Sequence, residues 1–252
     1  MSLEAIVLSA AMAAAAGLVG CFAVMRRMTL TADALSHVAL PGIGVAIALH
    51  VHPVLGAVAM LLFGALLVWA LEDRARLATE TVVGVVFSAA LAIGSLMTSG
   101  EDLIEALFGG LGTLAWPEAV FGIVVATGVI ACVLSKKNAL VVTIVSPDIA
   151  RTAGVDVRRL NLIYLELFAL TIALGLRYLG VLLMGSLIII PAATAKRLSR
   201  NLNGMLATAV AIAVAVTVLG SWLAVAVHRE PGPVIVTLAA GGFLLTFLRR
   251  PS

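Results

Sequence analysis

Apolar residues run along the chain in nine blocks, at about 4–25, 33–51, 54–72, 82–99, 117–135, 161–176, 178–195, 205–227 and 233–248. Most are near the 17–25 residues that an α-helix needs to cross a bilayer. The seams between blocks are charged or rich in breakers: RRM (26–28), HVHP (50–53), EDRARLATE (72–80), SGEDLIEALFGGLGTLAWP (99–117), KKN (136–138) and REPGP (229–233). Hydrocarbon offers no partner for backbone polar groups, so the pattern predicts an all-α, polytopic integral membrane protein. The count is nine helices if Gly175 to Gly180 is a seam, and eight if residues 161–195 form one broken helix.

Composition agrees with the blocks. Hydrophobic residues make up 62% of the 252 and charged ones 12%, with a mean hydropathy of +1.18, far from the usage of soluble domains. No polar stretch is long enough for a separate catalytic domain, so residues 1–252 read as a single transmembrane domain. The first block exceeds the apolar core of a signal peptide and is followed by RRM rather than a small-residue cleavage site, which predicts a spanning helix. Cys21 and Cys132 lie singly in apolar runs and read as packing residues.

Charge orients the threading. With the N-terminus outside and the C-terminus cytoplasmic, the inner loops hold fourteen of the 16 Lys and Arg residues, leaving only Arg177 and Arg229 outside. The net charge of +3 is spread over membrane-flanking loops, which argues for topology and against a nucleic-acid partner. The outer loops collect Glu4, Glu101, Asp102, Glu105, Glu118 and Glu230 with His50, His52 and His228. Such a mouth attracts cations, and Glu101, Asp102, Glu105, His50 and His52 are its candidate contacts.

The chemistry that stands out is Asp33 with His37, four residues apart in MRRMTLTADALSHVALPG. A carboxylate carried into hydrocarbon is costly, and such residues mark ion or substrate paths. The spacing puts both side chains on one helix face, where an oxygen and a nitrogen can grip a small cation. The plainer reading is a self-satisfied pair, with Asp33 capping its helix and His37 bonded to it or to a backbone carbonyl. Carboxylate plus imidazole suits zinc, manganese or iron alike. Glu166 and Arg177 are about 16 Å apart on a continuous helix and do not pair directly there; Glu166 is expected to meet a polar group on another helix. Pro191, before the small residues AATA, predicts close helix packing or a hinge. On the cytoplasmic side, Ser146-Pro147-Asp148 starts a short helix that Gly154 stops, followed by Val155 to Arg159. Few bulky apolar residues grip lipid there, so the segment reads as a docking point for a cytoplasmic partner.

Five stretches, RRMTLTADALSHVALPG, ETVVGVVFSAALAIGSLM, DLIEALFGGL, SPDIARTAGVDVRRLN and LRYLGVLLMGSLIIIPAATAKRLSR, together resemble the permease subunits of bacterial ABC importers for zinc, manganese and related iron systems. The resemblance covers about residues 20–205. It implies a type II ABC-importer-like homodimer in the bacterial inner membrane, served by two cytoplasmic ATP-binding subunits and an extracytoplasmic metal-binding protein. It makes residues 146–159 the coupling-helix loop, with Ser146, Pro147, Asp148, Arg151, Gly154 and Val155 facing the ATPase. It also makes Asp33 and His37 transient metal contacts in the path. The chain has no GxxxxGK[ST] loop, so hydrolysis falls to the partner, and no resident cofactor is expected beside the transported ion. The sequence departs from the family at Ala32, where glycine is usual, at Gly110, where an acid is usual, and at Glu166, where an apolar residue is usual. A proton-coupled secondary transporter using Asp33, His37 and Glu166 is the alternative. An intramembrane hydrolase lacks its motifs, HExxH and GxSxG.

Overall fold

The computed structural model describes residues 3–75, 78–97 and 116–248, and every element among them is helical. In chain order these are α1 (Leu3–Met25), α2 (Thr29–His37), α3 (Ala39–Ala48), α4 (Pro53–Ala75), α5 (Thr79–Met97), α6 (Trp116–Val145), α7 (Pro147–Thr152), α8 (Val157–Leu198), α9 (Leu202–Ala226) and α10 (Pro231–Leu245). Seven stretches are long and apolar enough to cross a membrane, α2 and α3 together making one, and α10 is a shorter apolar helix.

The second crossing is broken for a local reason. Pro41 has no N–H to give the His37 carbonyl, and its ring crowds that turn. The helix therefore tightens at Val38, whose N–H bonds to Leu35 O at 3.0 Å, and restarts at Ala39.

Helix α8 keeps helical backbone over 42 residues, yet it is not straight. Tyr164 Oη donates to Val19 O at 3.2 Å, while a methyl on the next residue, Gly20, would lie 1.9 Å from Ile188 O. Tyr164 and Ile188 would be about 36 Å apart in a straight helix. Gly175 and Met184 also meet, a Cβ on the glycine falling 1.8 Å from the Met184 sulfur. The helix thus doubles back between Gly175 and Met184 into two antiparallel arms, at the seam expected from sequence. The first arm of α8 is one of the seven apolar spans; the returning arm and the shorter apolar α10 come in addition to them. The KKN seam is corrected: α6 continues through Lys136 and Lys137 to Val145, because Lys and Asn side chains do not interrupt the backbone ladder.

Helix α1 is the central element, with Ala13, Ala15, Ala16 and Val19 fully buried, and it packs on both arms of α8, on α6 and on α9. The basic seams gather at one end of the bundle. There Lys137 Nζ donates to Asn203 Oδ1 at 2.9 Å, and Arg197 donates to Thr246 Oγ1 at 3.0 Å and covers the Phe247 ring at 3.7 Å. His50 and His228 close helices near the other end of the bundle, both with left-handed backbone, φ 55° and 54°.

Glycines also set a close crossing between α3 and α4. A Cβ on Gly42 would sit 2.2 Å from Gly56 O, and one on Gly56 2.1 Å from Gly42 O, so α3 and α4 touch backbone to backbone. Gly84 of α5 has open space instead. Gly56→Ala is expected to lower stability in detergent by ~1–3 kcal/mol through overpacking. Gly84→Ala should be neutral or stabilising by up to ~1 kcal/mol. Thermal unfolding of the two purified variants checks the pair, and equal shifts would contradict the backbone contact.

Candidate functional site

Helix α2 divides into two faces. Thr31, Ala32, Leu35 and Ser36 are buried, while Leu30, Asp33, Ala34 and His37 form the open stripe, Leu30 being 76% exposed. The spacing of one turn places Asp33 above His37 on that stripe, as the sequence predicts.

The pair is not self-satisfied. Asp33 does not cap its helix: the residue at the N-cap is Met28, which makes no side-chain cap bond. Its carboxylate makes no hydrogen bond or ion pair among the described residues, and only its carbonyl is engaged, accepting from Ser36 Oγ at 2.6 Å. The half-buried His37 keeps Nδ1 buried without a partner. Buried polar atoms are ordinarily paired, so this orphaned nitrogen is an exception within the protomer. The His37 ring lies against Phe87 of α5, centroids 5.6 Å apart and planes tilted by 54°.

Asp33 is exposed but stands at a helix crossing. A Cβ on Gly185 would lie 3.3 Å from Asp33 Cα and 3.4 Å from Oδ1, so the returning arm of α8 crosses α2 at the carboxylate. Gly185 lies about 20 Å along that arm from its basic end at Leu198. Ala32, where the resembling family has glycine, is wholly buried, and a methyl fits. Gly185 and Phe87 were missed by sequence reasoning. Their only signals are a small residue in MGSLIII and an aromatic in a block of small ones, neither of which names a partner.

The structure does not bring the other candidates to this pair. No group of three or more His, Cys, Asp or Glu able to hold a metal occurs among the described residues. His52 Nδ1 accepts the Val54 N–H at 3.4 Å at the start of α4, and exposed His50 terminates α3. Both are explained locally by helix ends. Glu166 is half-buried on the first arm of α8 and makes no polar contact among the described residues, which corrects the expectation of a partner on another helix. Glu101, Asp102, Glu105, Gly110 and the side chain of Arg177 lie outside the described residues. Pro191 is accommodated inside the returning arm.

The loop at 146–159 folds as its sequence demands. Ser146 is the N-cap of α7, its Oγ accepting from Ile149 N at 3.3 Å, with Pro147 in the first turn. Asp148 pairs with Arg151 at 2.8 Å rather than capping. Gly154 takes φ 80°, and Val155 N returns to Ala150 O at 2.9 Å. Asp156 caps α8 through Arg159 N at 3.0 Å, a second cap that sequence reasoning passed over. Ala150 is buried, while Ile149 is 60% exposed and Val145 76% exposed, a small apolar prominence on a charged surface.

The chain is similar to known proteins along its whole length. The profile of the ABC 3 transport family matches residues 1–250. The high-affinity zinc uptake system membrane protein ZnuB of Haemophilus influenzae is 32% identical over 241 residues, covering 92% of this chain and 90% of that one. The manganese import system permease protein ScaB of Streptococcus parasanguinis is 28% identical over 256 residues, covering 98% and 90%. Among solved structures, PsaBC from Streptococcus pneumoniae in complex with Fab superposes with a TM-score of 0.84 at 25% identity, covering 98% of this chain and 91% of that one.

Ser146→Ala removes the cap of α7 and is expected to cost ~1 kcal/mol of local stability. Amide exchange over 149–153 should quicken severalfold while α9 is unaffected. Unchanged exchange in that segment would show that the hydroxyl holds nothing.

Proposed function

The chain belongs to the ABC 3 transport family, and from that membership we propose that it is the membrane permease of an ATP-driven importer carrying a divalent transition metal, zinc or manganese, with iron as a further candidate. The observation that supports this most is the open stripe of α2, where the exposed, unpaired Asp33 carboxylate stands one turn from the His37 ring with its unpaired nitrogen. Carboxylate oxygen and neutral imidazole nitrogen are ligands for borderline divalent ions. Two ligands bind such an ion weakly, and weak binding is what passage requires.

The stripe opens away from its own protomer. In a homodimer with the two stripes facing each other, Asp33 and His37 from both copies supply four ligands, with water completing the shell. The cation is substrate here. In the proposed orientation the N-terminus is outside and the basic end cytoplasmic, following the charge asymmetry. Helix α7 then meets a cytoplasmic ATP-binding subunit through Ile149 and the Asp148–Arg151 pair. A metal-loaded binding protein delivers from the opposite end, near His50, His52 and the acidic run Glu101, Asp102 and Glu105. Alternating access results if ATP binding draws the two α7 helices together and rocks the dimer about the metal stripe.

Asp33→Asn and His37→Ala are each expected to lower metal uptake by cells at least tenfold, since loss of a single ligand-supporting group already costs ~10–100-fold. Complex yield should stay near that of the unaltered chain. Elemental analysis of metal-starved cells measures the cargo, and normal accumulation by both variants at normal expression would sink the site.

A further inference from the structure

We propose that Asn161 is a positioning residue for transport, tying the start of α8, just past the α7 loop, to the α1–α2 turn that leads to Asp33. This rests on the importer reading above. Asn161 lies in the second turn of α8, two turns beyond the end of α7. Its Oδ1 accepts from Arg26 Nη1, and its Nδ2 donates to Glu72 Oε2 at 2.8 Å. Glu72 in turn accepts from Thr79 Oγ1 at 2.5 Å through its other oxygen. Arg26, half-buried, lies over the Tyr164 ring at 4.4 Å. One amide therefore joins three helix junctions: α1 to α2, α4 to α5, and α7 to α8.

The surroundings make this link matter. A cavity of about 540 Å³ opens at this end of the bundle, lined by Arg26, Glu72, Thr79, Asn161, Arg151 of α7 and Thr143 of α6. Close-packed side chains transmit displacement across an interior, and at the cavity that packing is absent. Polar contacts span the helix ends instead. Trp69 of α4 adds one, its Nε1 donating to Arg158 O at 3.0 Å while the Arg158 guanidinium covers the ring at 4.7 Å. A push on α7 shifts the first turns of α8, and Asn161 hands that shift to Arg26. The turn after Arg26 is compact: Arg27 has φ 61°, and Met28 N bonds back to Ala23 O at 2.9 Å. Helix α2 begins one residue later, so a displaced Arg26 moves the helix that bears the metal stripe. Glu72 carries the same shift to α5, whose Phe87 rests on His37.

The test uses the whole complex, with its ATPase and binding protein, in proteoliposomes, and reads Zn²⁺ or Mn²⁺ uptake and ATP hydrolysis together. Asn161→Leu keeps the number and branching of heavy atoms and removes both hydrogen bonds; Arg26→Met removes the donor. Each is expected to lower metal moved per ATP about threefold or more, with hydrolysis by the assembled complex retained. The double variant should be no worse than the poorer single one, because the two act in series. A merely structural role lowers yield and both rates together and leaves the ratio unchanged, and that result, or additive losses, overturns the proposal. If Asn161→Leu does not assemble, Asn161→Asp replaces it; it keeps the acceptor for Arg26, sets a second carboxylate against Glu72, and is expected to lower the ratio likewise. An unchanged ratio there also overturns the proposal. Failure of the unaltered complex to import either ion counts against the importer reading instead.

Discussion

The carbonyl of Ile188 passes so close to Gly20 that a single methyl group on the glycine would collide with it, and this contact between α1 and the returning arm of α8 governs much of the remaining architecture. Lipid gives helices no hydrophobic reason to associate, since tails are as apolar as the side chains they would replace. Association has to come from packing and from the few hydrogen bonds available. Small residues allow both here: Gly20 admits the backbone of one arm of α8, while Val19 accepts from Tyr164 on the other. Helix α1 thereby clamps the two arms together. Folded back in this way, α8 presents Asn161 to Arg26 at one level and Gly185 to Asp33 at another.

The open stripe of α2 depends on that arrangement and on one proline. Pro41 ends the regular ladder just after His37, and the buried face of α2 is taken up by Thr31, Ala32, Leu35 and Ser36. The face left open carries Asp33, which is exposed, and His37, which is half-buried. The buried His37 Nδ1 without a partner is destabilising to the protomer on its own.

The polar groups at the basic end are treated in the opposite way. Glu72, Asn161, Arg26 and Thr79 satisfy one another, and Ser146, Asp156 and Asn201 each cap a helix start. These groups sit near water and near the surface where a nucleotide-driven partner would press. The two regions thus differ in kind: the Asp33 carboxylate and His37 Nδ1 are left without partners among the described residues, whereas the groups at the basic end are mostly matched, the buried Thr143 Oγ1 being an exception.

Sequence alone determined the elements and their chemistry, because both are local. Apolar block length fixes which segments span, Ser146 with Pro147 fixes where α7 starts, and Asp33 with His37 at four-residue spacing fixes one shared face. The apolar blocks coincide with helices among the described residues, seven stretches of which are long and apolar enough to cross a membrane, and the short helix at 147–152 lies inside the expected loop. KKN misled because charge marks where lipid ends, whereas a helix ends only where its backbone ladder is interrupted, and Lys136 and Lys137 do not interrupt it. Tertiary structure decided the partners. That Gly185 lies on Asp33, that Phe87 supports His37, that Asn161 joins Arg26 to Glu72, and that Glu166 meets no polar group among the described residues depend on contacts between residues far apart in the chain, for which a local pattern carries no signal. Whether the acid and the histidine satisfied each other or stood open was likewise a matter of rotamers and neighbours, and the packing of α2 against α5 and α8 left them open.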